Sequence, residues 1–125
     1  MDIKIIIQWP AGEVSASLQK TTTTEALLAV LPVESVAQTW GDEVYFSVPM
    51  QASLEIDAMQ VVEPGTVGFW TEGSCLAIPF GATPIAVAGE CRLAAPVNLL
   101  GWIDGDPGQL ASMQPGDPVR VVHVE

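Results

Sequence analysis

The chain has 125 residues, with 15 Asp and Glu against 4 Lys and Arg, for a formal net charge of −11. Such acidity argues against nucleic acid or an anionic membrane surface as a partner, because both need clustered cations, and Lys4, Lys20, Arg92 and Arg120 are scattered. An apolar content of 49% with 15% charged residues excludes a disordered chain, and 11 Gly plus 10 Pro are too many for a helical bundle. The composition instead predicts short strands joined by tight turns.

In chain order, Ile3, Ile5, Ile7 and Trp9 alternate with Asp2, Lys4 and Gln8, and Pro10-Ala11-Gly12 turns the chain. Val14, Ala16 and Leu18 mark the return strand of a hairpin. Thr22-x-x-Glu25 reads as a capping box opening a helix over 23–31, which Pro32 ends. Val33 to Trp40 and Glu43 to Val48 read as two strands around a Gly41-Asp42 turn, so that Trp40 and Glu43 face each other. Alternation then sends Val44, Phe46 and Val48 to one face and leaves Glu43, Tyr45 and Ser47 on the other. Further strands are predicted near 54–61, 66–71, 74–80, 97–103 and 119–124. Asp106-Pro107 fits the cap and first position of a short helix near 107–113. No linker or repeat divides the chain, which reads as one domain over 1–125, an all-β closed barrel without exposed edges.

Several segments together resemble a family of small prokaryotic proteins of unknown function with a cyclophilin-like barrel. They are Leu31-Pro32-Val33-Glu34-Ser35, Trp40-Gly41-Asp42-Glu43-Val44-Tyr45-Phe46, Pro64-Gly65-Thr66-Val67 leading to Trp70, Phe80-Gly81-Ala82-Thr83-Pro84, Pro96-Val97-Asn98 with Gly101, and Gly116-Asp117-Pro118-Val119. The resemblance runs from about Ile3 to Val124 and implies a closed, roughly eight-stranded barrel with a helix packed at one end. It does not extend to the catalytic face of prolyl isomerases. No Phe-His-Arg stretch occurs, and the single histidine is His123. The same fold occurs in subunits of enzymes acting on cyclic amides and allophanate, but no motif here singles out that use.

Glu43 and Tyr45 on one strand face, beside Trp40 and near Trp70, are the candidate pocket. A carboxylate and a phenol among large rings suit a small cationic or amide-bearing ligand. With Phe80 and Arg92 they form the expected ligand-binding set, for a small molecule or a short peptide in an aromatic-lined groove. The alternative is peptidyl-prolyl isomerisation, with Arg92 polarising the proline nitrogen and Phe80 walling the ring. A third reading is self-association through exposed tryptophans.

No cofactor is implied. Asp104, Asp106 and Asp117 lack the spacing of a calcium loop and read as turn and cap residues, so no metal is expected. Cys75 and Cys91 read as reduced, buried thiols, with Cys91 beside Arg92 the more reactive of the two. The start lacks a basic leader region, and Ile5-Ile6-Ile7 is too short for a membrane span, so a cytoplasmic location is expected.

Overall fold

The computed structural model describes residues 3–125. Asp2, counted above on the polar side of the first strand, lies outside them. Ten strands form: β1 (Ile3–Trp9), β2 (Gly12–Leu18), β3 (Val33–Val36), β4 (Gln38–Thr39), β5 (Glu43–Ser47), β6 (Met59–Val62), β7 (Thr66–Trp70), β8 (Cys75–Pro79), β9 (Cys91–Ile103) and β10 (Pro118–Val124). Nine run in the antiparallel order β3-β10-β1-β2-β9-β7-β8-β5-β4, and β6 pairs with β9 off this path.

The path curls into a nearly closed barrel with one seam. Its end strands β3 and β4 are consecutive in sequence and are separated by the fully buried Ala37. The single strand predicted from Val33 to Trp40 is therefore broken there. Its first half pairs with β10 and its second with β5. Ala37 donates its N–H to Asp117 and accepts from Gly116, which fastens the break. Across the seam the hydroxyls of Ser35 and Ser47 stand 3.4 Å apart.

Period-two alternation fills the interior. Ile5 and Ile7, Ala16 and Leu18, Val44 and Phe46, Val67 and Phe69, and Leu76 and Ile78 all point into one core. Helix α1 (Thr22–Val30) is capped by Thr21, one residue earlier than the capping box suggested. The Thr21 hydroxyl accepts from the Thr24 N–H at 3.1 Å. A helix this short needs tertiary support, and it gets some from the fully buried Asn98 on β9. That amide donates to the Thr23 hydroxyl at 3.0 Å and to the Ser53 carbonyl at 2.9 Å. Its oxygen accepts from the Glu55 N–H at 2.7 Å, and the Glu55 carboxylate in turn accepts from the Thr23 hydroxyl at 2.6 Å. One side chain thus ties helix, strand and the irregular segment 48–58 together.

Two stretches depart from expectation. The strand predicted near 54–61 is confined to β6, because residues before Met59 spend their polar groups on Asn98 and Thr23 instead of a ladder. Residues 91–96, which precede the strand predicted near 97–103, instead begin the 13-residue strand β9. The short helix after Asp106 forms as predicted, as a 3-10 helix over Pro107–Ser112, with the Asp106 carboxylate accepting from the Gly108 N–H.

Candidate functional site

The strand β9 does two jobs. Its C-terminal part pairs with β2 and β7 inside the barrel wall, and its N-terminal part pairs with β6 to form an arm. The arm packs back over the outer face of β7 and β8, where Ala77, Leu93 and Val97 make a second, smaller apolar cluster. Gly68 makes this contact possible. A Cβ at Gly68 would meet the Val97 Cγ2 at 2.4 Å, so Val97 sits directly on bare backbone.

Between arm and outer face lies a cavity of about 290 Å³. Register explains who lines it. On β5, Glu43 and Tyr45 alternate outward while Val44 and Phe46 point to the core. Tyr45 lies opposite Ala77, Ala77 lies opposite Gly68, and Trp70 lies opposite Cys75, so β5, β8 and β7 present one floor. Small floor residues leave the space, and Leu93, Ala94, Ala95 and Val97 roof it. Trp40 closes one end, set by the turn in which its N–H donates to the Glu43 carbonyl at 3.0 Å and Gly41 takes φ +60. Gly73 leaves room for the Trp70 ring, since a Cβ there would lie 2.2 Å from it.

The polar groups of this cavity are unusual. Glu43 is only 6% exposed, and its Oε1 has no hydrogen-bond partner. The Trp70 indole Nε1 is likewise buried and unpartnered. Among the described residues these are the two buried side-chain atoms so left, and both residues line the same cavity. Buried polar groups are otherwise almost always paired, and an orphan is costly. Removal from water pushes the Glu43 carboxyl up to about 7, so that it changes charge near neutrality. A larger hollow of about 580 Å³, lined by both strands of the arm beside Trp102 and Cys91, holds no such orphan.

The structure therefore brings Trp40, Glu43, Tyr45 and Trp70 together, and it leaves Phe80 and Arg92 apart from them. Phe80 packs against the barrel core. Arg92 forms two hydrogen bonds to the Glu90 carboxylate, at 3.0 and 2.9 Å, and does not line the cavity. The roof residues Leu93, Ala94, Ala95 and Val97 escaped sequence reasoning. The alternation of buried Leu93 and Val97 was the available signal, obscured by Pro96 between them. Both thiols are buried, and burial pushes each up. The Glu43 charge adds to this at Cys75, and Glu63 and Asp42 add to it at Cys91, so neither is an activated nucleophile. The aspartates are engaged locally: Asp104 by Lys4, Ser15 and Ser17, Asp106 at its helix cap, and Asp117 by the Gln114 N–H.

A family model described as Cyclophilin-like matches residues 1–122. The chain belongs to the cyclophilin-like family. Within the solved structures, this cyclophilin-like chain is similar to a hypothetical protein from Archaeoglobus fulgidus determined in solution. The two share 30% identity with a TM-score of 0.84, over 98% of this chain and 95% of that one. No curated protein matches the chain. No helix among the described residues is long and apolar enough to cross a membrane.

Proposed function

We propose that this cyclophilin-like barrel binds a small molecule in the outer-face cavity, using Trp40, Glu43, Tyr45 and Trp70. One observation carries the reading: the two residues with unpartnered buried polar atoms, Glu43 (Oε1) and Trp70 (Nε1), line one cavity whose other walls, Tyr45 aside, are apolar. Such an arrangement costs stability unless a ligand completes it. Apolar walls with a few polar groups describe ligand sites generally, and about 290 Å³ suits a compact molecule or a single side chain of a short peptide.

The prolyl-isomerase alternative has less support. It needs a free guanidinium beside an apolar wall, whereas Arg92 is held by Glu90 and Phe80 is committed to the core.

A fragment screen by saturation-transfer NMR tests the reading, with the tryptophan emission as a second readout. Binding should be lost in Ala95→Leu, which fills the cavity from its half-buried roof, and should survive Arg92→Ala. Fragments that bind both variants and the parent chain equally well would place any binding elsewhere on the surface.

A further inference from the structure

Resting on the small-molecule reading above, we infer that the cavity selects a small organic cation, an alkylammonium carrying an oxygen acceptor a few bonds from its nitrogen. Three features of the cavity converge on this chemistry. Its walls hold two of the four tryptophans and the single tyrosine of the chain. Aromatic faces attract ammonium groups, above all when water is excluded, and they tolerate methylated nitrogens that form no hydrogen bonds. The buried Glu43 carboxyl supplies the countercharge, and no Lys, Arg or His lines the cavity to compete for it.

The two orphan atoms also differ in what they need. An indole N–H only donates, so its partner must bring an acceptor. An ionised carboxylate only accepts, so its partner must bring a donor or a positive charge. Register separates the two residues: Glu43 lies opposite Pro79 and Trp70 opposite Cys75, on strands that flank β8. A ligand serving both therefore carries its two polar points at two ends, a cationic head toward Glu43 and an oxygen toward Trp70. An anion would meet an acidic pocket on a chain of net charge −11, and a purely apolar molecule would leave both orphans unpaired.

The charge of Glu43 sets the pH dependence. The titratable groups on its face are Tyr45 on its own strand and Cys75 on β8, and the remaining wall residues from β7 and β9 do not titrate. Below about pH 7 the carboxyl holds its proton, and a cation binds only by displacing it. Affinity for the cation then rises with pH, by up to about tenfold per unit below that point, and levels off above it.

The test compares choline with 3,3-dimethylbutan-1-ol, its uncharged isostere, and with tetramethylammonium, which lacks the oxygen. Calorimetric or NMR titrations run from pH 5.5 to 8.5 beside the fragment screen described above. At pH 8.5 choline should bind about tenfold tighter than the isostere, a preference of the size that desolvated cation–aromatic contacts give. The preference should shrink toward pH 5.5, and in Glu43→Gln, which keeps the shape of the side chain, it should fall and lose its pH dependence, leaving only the aromatic contribution. Trp70→Phe should weaken choline and leave tetramethylammonium nearly unchanged. Equal binding of choline and isostere at every pH overturns the cation inference while the cavity remains a binding site. So does occupancy of the cavity by neutral fragments with no binding of either cation. A blank in the titrations and in the screen removes the small-molecule reading itself. The pH series on the unmodified chain decides the matter even if a variant folds poorly.

Discussion

The barrel interior and the outer-face cavity are built from the same strands, yet they follow opposite rules. Inside, Val44, Phe46, Phe69, Leu76 and Ile78 fill space without leaving a polar atom to satisfy. Outside, on alternate positions of those strands, small residues leave a hollow, and a carboxyl and an indole N–H go unpaired. The interior is arranged for stability. The outer face gives some stability up, which is the pattern expected where a site is shaped for something other than the chain itself.

The comparison breaks first if core deletions fail to separate the two regions. Phe69→Ala removes a fully buried ring and should cost about 3–5 kcal/mol in urea unfolding, against about 2 kcal/mol for Leu93→Ala in the small outer cluster. Equal losses would mean that the arm is part of the core.

Asn98→Ala should follow, at roughly 2–3 kcal/mol, because it strands the Glu55 N–H and the Ser53 carbonyl together. Amide exchange should show helix α1 and residues 48–58 loosening as one unit. Loss confined to one of them would show that Asn98 does not join them.

The next test sharpens the contrast through pH. The folded chain holds the Glu43 proton up to about 7, above the usual 4.5, so it binds more protons than the unfolded chain between those values. Stability contributed by the neutral carboxyl is complete below pH 4.5 and is lost as pH rises through about 7. The loss should be on the order of 2 kcal/mol. Denaturation curves for Glu43→Gln should lack this component, and parallel pH profiles for variant and parent would contradict the burial argument.

The smallest effect belongs to Arg92→Ala. Its ion pair with Glu90 is partly exposed at both ends and screened by solvent, so the unfolding midpoint should hardly move. Ligand binding should not change.

Much of this was legible in the residues. Alternation in β1, β2 and β5, blurred in β1 by Ile6, announced which side chains face the core, and the Gly41-Asp42 turn placed Trp40 opposite Glu43. Placing Glu43 and Tyr45 on one face needed only that alternation. The remainder depended on contacts between segments far apart in sequence. Nothing local in Val33 to Trp40 reports that Ala37 must break the strand, because its partners are Gly116 and Asp117. Nor does Leu93-Ala94-Ala95-Pro96 look like a roof until Gly68 provides a bare floor beneath Val97. Arg92 misled for a related reason. Its strand places it away from the cavity, and Glu90, two residues earlier, already occupies its guanidinium.

The continuity of β9 has a mechanical consequence. Residues 93–97 roof the cavity while Asn98 to Ile103 are stitched into the barrel wall and, through Asn98, to the helix. The roof is thus a blade whose own pairing is irregular, with Met59 opposite Val97 and Val61 opposite Arg92, joined directly to that clamp. The first clamped residue after the roof, Asn98, is also the one that holds Thr23 of α1. The helix end of the barrel is thereby tied to the roof through one residue, although α1 lines no part of the cavity.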